Sequence, residues 1–319
     1  ARGRRYSAKT VVVTQTLKPR PSGEKGWGRW IAFMKAALKT HAVVVVVLAC
    51  LLAVPVMVYG IRELRFKPGF DLYTPAQDVE EGRQAAAQVE KTTPMLRDPE
   101  TLRYINDLGK KLASFAPNNL PVYAWQFHVV NTKDINAFAL PGGFIFVNRG
   151  TIAVAENEAQ LAGVMAHEIG HVVMRHGTHQ ASVKSLAQLP LAIFGAATGS
   201  GGAMGILRAG LAFGLNSAFL KNSRDMEGQA DEVGTYILYH AGYDPHAMSQ
   251  FFEILQQKYP QQTVQFFSDH PNPGNRIANV NQEIPLLGAA RRGTTDTPEF
   301  ERIRKRIDSL PPPPPAKKQ

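Results

Sequence analysis

Two histidines four residues apart constrain this chain more than any other feature. His167 and His171 stand in the run LAGVMAHEIGHVVMRHG at residues 161–177. An i, i+4 pair shares a face only on an α-helix, where both imidazoles can converge on one metal ion. The stretch 161–177 is therefore expected to be an amphipathic helix. Glu168 follows the first histidine directly, so its carboxylate can reach a water at such a metal without being a ligand. There it can take a proton as that water attacks a carbonyl. Chance does not explain the pattern, because 9 histidines and 15 glutamates in 319 residues give about 0.01 expected occurrences.

Zinc is the metal that this ligand type favours, and a catalytic zinc takes three protein ligands and leaves a fourth position open. A third ligand must then come from elsewhere. The longer local signature with Gly at 174 and His at 177 is absent, since Met174 and Gly177 stand there. His176 and His179 lie five and eight residues after His171, and on a continuous helix only the second returns near the same face. Further on, NSRDMEGQADEVG at 222–234 places Glu227 and Asp231 one helical turn apart. Glu227 can complete a His₂Glu set, and Asp231 can hold the free nitrogen of a ligand histidine. Read by itself, the same segment is an exposed charged helix face.

The single cysteine, Cys50, excludes an intrachain disulfide and every Cys-based zinc pattern. Net charge is +10, but nine of those charges belong to residues 1–40, where ten Lys and Arg face one Glu. The remainder is nearly neutral, so no nucleic-acid partner is expected. Residues 42–61, AVVVVVLACLLAVPVMVYGI, are free of charge over twenty positions, the length needed to cross a bilayer as one helix. Basic residues before that run put the arm in the cytoplasm and the rest of the chain outside. The expected location is a bacterial inner membrane with the catalytic part in the periplasm, or, alternatively, the mitochondrial inner membrane.

Helix-forming stretches with an early Pro cover 75–91 and 99–115. The runs WQFHVVN (125–131) and FIFVN (144–148), with Pro141, Gly142 and Gly143 between them, predict a small antiparallel sheet. From residue 157 the pattern is mainly helical. A Gly- and Ala-rich stretch at 190–215 reads as a membrane-dipping hairpin, a plug over the cleft or flexible packing. Five prolines at 311–315 predict an extended end.

Four blocks carry a family resemblance: NAFALPGG (136–143), HEIGH with RHG (167–177), SRDMEGQAD (223–231) and HPNPGNRI (270–277). In this order the chain resembles the M48 zinc metallopeptidases over residues 75–285. The resemblance implies that Glu227 is the third zinc ligand and that Asp231 orients a ligand histidine. It also implies that Asn136, Ala137 and Phe138 belong to an edge strand that pairs with substrate backbone. His270 and Arg276 match positions near the metal that can stabilise the oxyanion, or, for the histidine, fill the open zinc position in a latent state.

The expected architecture is an α+β, mainly helical zincin-like metalloprotease domain. A small antiparallel sheet carries the substrate edge strand, and one transmembrane helix precedes the domain. Its parts are a basic cytoplasmic arm (1–41), a membrane span (42–61), the peptidase domain (68–290), and a C-terminal helix with a Pro-rich tail (291–319). The expected function is a membrane-anchored endopeptidase with one Zn²⁺ per chain, acting on extended segments of misfolded or unassembled envelope proteins. A zinc-stabilised chaperone or assembly factor is the alternative. A prenyl-protein protease is disfavoured by the single apolar span.

Overall fold

Pro75 and Pro99 each open a helix, where a missing N–H costs nothing, and the residue before each supplies the cap. Thr74 accepts from the Gln77 amide at the start of α1 (Pro75–Thr92), and Asp98 accepts from Thr101 at the start of α2 (Pro99–Ala113). The computed structural model describes residues 66–197, 223–259, 265–270, 273–288 and 293–314. The basic arm, the apolar run 42–61 and residues 198–222, which hold most of the Gly- and Ala-rich region, lie outside the described residues. Among the described residues no helix is long and apolar enough to cross a membrane.

After α2 come β1 (Gln126–Val130), β2 (Ala137–Leu140) and β3 (Phe144–Asn148), in the order β1-β3-β2. The sheet is mixed rather than antiparallel: β1 runs parallel to β3, and only β2 pairs antiparallel with it. The apolar and aromatic patterns of 125–131 and 144–148 locate the strands but carry no direction. The turn at 141–143 joins β3 to β2, and residues 131–136 carry the chain across from β1. Gly142 in that turn has φ 75°, and a Cβ on it would lie 2.4 Å from the Val79 Cα of α1. Both the backbone and the packed helix require glycine there.

The remaining described helices are α3 (Arg149–Val154), α4 (Glu158–Val173), α5 (His176–Ala197), α6 (Arg224–His240), α7 (His246–Lys258), α8 (Gln265–Asp269), α9 (Pro273–Glu283) and α10 (Pro298–Ser309). The domain is thus mostly helical with one three-stranded sheet. α4 carries the two histidines, and every residue from Glu158 to Val173 is buried. It is the central helix of the core, packed by α6, α7, α2 and the sheet, and it is buried all round rather than amphipathic as expected for 161–177.

Nor does it reach 177. Arg175 has φ 58°, the left-handed position that usually takes glycine at a helix C-terminus and costs another residue about 1 kcal/mol. Its side chain offsets that strain. The guanidinium donates to Asp78 through Nε (2.7 Å) and Nη2 (2.9 Å), and to the Tyr73 carbonyl (2.5 Å). Tyr123 donates to the same Asp78 carboxylate. Replacing Arg175 with Ala leaves buried Asp78 with its phenol partner alone. The expected loss is about 2–3 kcal/mol in a urea titration, below the full penalty for a broken buried pair because Arg175 keeps some solvent contact.

α4 and α6 touch closely enough to expose the role of the glycine in HEIGH. A Cβ on Gly170 would lie 2.9 Å from the Ala230 carbonyl oxygen and 3.1 Å from its Cα. Gly170→Ala gains about 1 kcal/mol of helix propensity but pushes against backbone that cannot rotate away. Overpacking of this kind costs about 1–3 kcal/mol, so the variant is expected to have a lower melting temperature, with weaker metal retention.

Candidate metal centre

α4 presents His167 and His171 one turn apart, with Nε2 atoms 2.9 Å from each other. Ser223 caps α6 by accepting from the Met226 amide, and the first turn of that helix brings Glu227 against both imidazoles. Its Oε2 lies 3.4 Å from His167 Nε2 and its Oε1 3.3 Å from His171 Nε2. His270, just past α8, closes the group with Nδ1 3.3 Å from His167 Nε2 and 3.2 Å from both Glu227 oxygens. All four residues are buried.

The donor atoms fit a zinc ion. Zn–N and Zn–O bonds of about 2.0–2.1 Å in a tetrahedron set neighbouring ligand atoms about 3.3 Å apart, and the contacts above run from 2.9 to 3.4 Å. Two imidazole nitrogens facing each other in a buried site repel unless a proton or a cation lies between them.

The surroundings hold each group in place. Asp231, one turn along α6, contacts His167 Nδ1 at 3.0 Å. Arg276 of α9 donates to Asp231 through Nη2 (2.7 Å) and Nε (3.1 Å), its Nη1 lies 3.2 Å from Glu227, and its guanidinium covers the Phe252 ring at 4.1 Å. Burial alone would raise the Glu227 pKa, but His270, Arg276 and His171 hold it well below the usual carboxylate range. Burial wins at Glu168, where it outweighs His270 and His167 and raises the carboxyl. For His270 the order reverses: Glu227 and Glu168 overcome burial and push it up to about 9.

Glu168 is buried and faces a cleft lined by Phe138 to Pro141 of the β2 edge, by Glu168, His171 and Arg175, and by Asp269 and His270. Its Oε1 has no hydrogen-bond partner and stands 3.4 Å from His270 Nε2. That nitrogen also lies 3.3 Å from the Ala137 carbonyl.

Three residues sit differently from what the sequence suggested. Asn136 precedes β2 and is buried, and its side-chain amide donates to Asp269 Oδ2 at 2.8 Å. It clamps the residue before His270 and does not face the cleft. Arg276 lies close to the cluster, as the resemblance implies, with Nη2 3.0 Å from His167 Nδ1, but it stands behind that ring, paired with Asp231 and Glu227, and not on the cleft wall. On a continuous helix, five residues would turn His176 away from the His171 face. The break at Arg175 returns it all the same: His176 Nδ1 lies 2.8 Å from His171 Nδ1. His179 instead contacts the Phe70 carbonyl at the surface.

The sequence profile described as Peptidase family M48 matches residues 99–284. The Beta-barrel assembly-enhancing protease of Escherichia coli strain K12 is 33% identical over 223 residues, 66% of this chain and 45% of that protein. Its namesake from Yersinia pestis is 30% identical over 214 residues, 64% and 43% of the two chains. The Mitochondrial metalloendopeptidase OMA1 of Schizosaccharomyces pombe is 30% identical over 200 residues, 62% and 57%. The chain thus spans about half the length of the curated relatives it matches. With a family match across more than half of the sequence, laid over a buried His/His/Glu/His cluster, this chain belongs to peptidase family M48.

Proposed function

We propose that the chain is a zinc-dependent endopeptidase that hydrolyses extended polypeptide segments, with His167, His171 and Glu227 as metal ligands and Glu168 as general base. The observation that carries the reading is the pairing of a buried His/His/Glu set with a raised Glu168 carboxyl beside it, whose Oε1 makes no hydrogen bond. A base whose pKa is raised toward the working pH is the more effective in proton transfer. A zinc ion held there would supply Lewis-acid polarisation of the scissile carbonyl and acidify the attacking water.

Glu168 takes one proton from that water as its oxygen bonds to the carbonyl carbon. The same carboxyl then gives the proton to the amide nitrogen as the C–N bond breaks. Asp231 fixes the ring of His167, and Arg276 pairs with Asp231 from behind and helps to hold Glu227 below the usual carboxylate range. The free edge of β2 offers an extended substrate a strand to pair with, with Phe138 on the cleft wall and Ala137 supplying backbone. Asn136 supports this edge by holding Asp269.

His270 occupies the place of a fourth ligand, which a catalytic zinc must keep open. With zinc bound it would have to leave that place for substrate to enter, and its imidazole would then stand beside the developing oxyanion. A closed four-group cluster is also what a purely structural zinc site looks like, and this favours the second reading, a zinc-stabilised chaperone or assembly factor.

The apolar run 42–61 anchors the chain in a bilayer. Relatives named for β-barrel assembly and for mitochondria support an envelope role, in the bacterial periplasm or at the mitochondrial inner membrane.

Glu168→Gln in the full chain separates the readings. Equal zinc content in both proteins and a loss of casein hydrolysis of roughly 10²–10⁴-fold are expected. Full rescue of a deletion strain by the variant favours the chaperone, and undiminished hydrolysis removes Glu168 from the mechanism. Zinc at 100 times its Kd should stabilise the native chain by about 2.7 kcal/mol, read as a chelator-reversible shift in urea midpoint. No shift sinks the metal site.

A further inference from the structure

We infer that His176 is a positioning residue for the metal centre: its neutral imidazole receives the Nδ1 proton of His171 and fixes which nitrogen of that ligand points at the metal. This rests on the zinc reading above and extends it to a residue outside the ligand set. The argument is one of hydrogen-bond direction. His171 directs Nε2 to the cluster, 2.9 Å from His167 Nε2 and 3.3 Å from Glu227. A neutral imidazole that gives Nε2 to a metal carries its proton on Nδ1. The atom facing that proton is His176 Nδ1, 2.8 Å away, with the two rings 73° apart.

His176 Nδ1 must therefore accept, which leaves its own proton on Nε2. That nitrogen lies 3.0 Å from Gln229 Oε1 on α6, an acceptor by nature. The chain from His171 through His176 to Gln229 runs in one direction, and a metal at His171 sets it. The two ligand histidines are thus held by unlike partners, His167 by a carboxylate backed by Arg276 and His171 by a second imidazole.

The fold is built to make this contact. His176 is the first residue of α5 and is buried. It reaches His171 only because Arg175 turns the chain through the left-handed region, which the Asp78 pair stabilises. Gln229 follows the ligand Glu227 by two positions on α6, so its register is fixed by the same helix that delivers the third ligand.

The test uses the full chain with His176→Phe, which keeps the ring volume and removes the acceptor, and His176→Gln, which can accept from His171 and donate to Gln229. Zinc affinity is read by competition with a chromogenic chelator, with melting temperature measured metal-free and kcat and KM measured zinc-saturated. Loss of such a partner should weaken zinc binding about 10–100-fold in the Phe variant, with recovery to within about threefold in the Gln variant. Metal-free melting should stay within a few degrees, and the activity loss should fall on kcat. A Phe variant that binds zinc as tightly as the native chain overturns the proposal, as does a Gln variant no better than Phe.

If the Phe variant does not fold, ¹⁵N NMR of the native zinc-loaded chain decides. The proposal requires a proton on His171 Nδ1 and none on His176 Nδ1, and the opposite pattern removes it. A native chain that takes no zinc sinks the zinc reading itself, and this inference with it.

Discussion

Every feature of the metal centre depends on how closely α4 and α6 approach. Helices of ordinary composition pack with axes 8–10 Å apart. A ligand set shared between two helices, with carboxylate oxygens 3.3–3.4 Å from the imidazoles, needs the lower end of that range at the point of contact. Gly170 and Gly234 supply it. Cβ atoms there would meet the backbone of Ala230 and of His167 at 2.9–3.1 Å. Gly234 faces the first ligand histidine itself, so the glycines set the distance and the histidines use it.

The second constraint is charge. Glu168, Glu227, Asp231, His270 and Arg276 are all at most 2% exposed, and so many ionisable groups buried together require compensation. Arg276 meets part of that need from behind, where it lies on Phe252 and pairs with Asp231 and Glu227. That position explains why it does not line the cleft. A guanidinium that neutralises the ligand sphere is most effective where water cannot screen it.

The sequence made the histidine-bearing helix legible because a metal motif carries its own geometry: i, i+4 spacing holds only on a helix, and α4 is one. Glu227 and Asp231, one turn apart on α6, read by themselves as an exposed charged face and stood out only against the unfilled ligand position and the family resemblance. What sequence periodicity could not show was where a helix stops. Arg175 has ordinary helix propensity, and its left-handed turn is stabilised by Asp78, almost a hundred residues earlier, so no local signal marks it. The identity of the residue touching His171 depended on that break. Had the run Arg-His-Gly at 175–177 been read as a helix end followed by a new helix start, His176 would have stood at a junction, free of the 3.6-residue period. Strand direction was lost for a related reason. The apolar patterns of β1 and β3 are the same whichever way they pair, and the intervening β2 is only four residues long.

His270 links these parts into one device. Its Nδ1 closes the ligand cluster, and its Nε2 faces both the Glu168 carboxylate and the Ala137 carbonyl at the end of the β2 edge. On the proposed reading, one side chain there covers a coordination position, the base and the first backbone acceptor for a substrate strand. It is held at its root, because Asn136, the residue before that strand, donates to Asp269, the residue before the histidine. A polypeptide that paired along β2 as proposed would compete for the Ala137 carbonyl and so act on the group that closes the cluster. Occupation of the strand and opening of the site are then two sides of one equilibrium, and a substrate shifts it only by the difference in its affinity for the two states. An extended chain that added to the edge would have such a difference, and a small peptide too short to reach Ala137 would not.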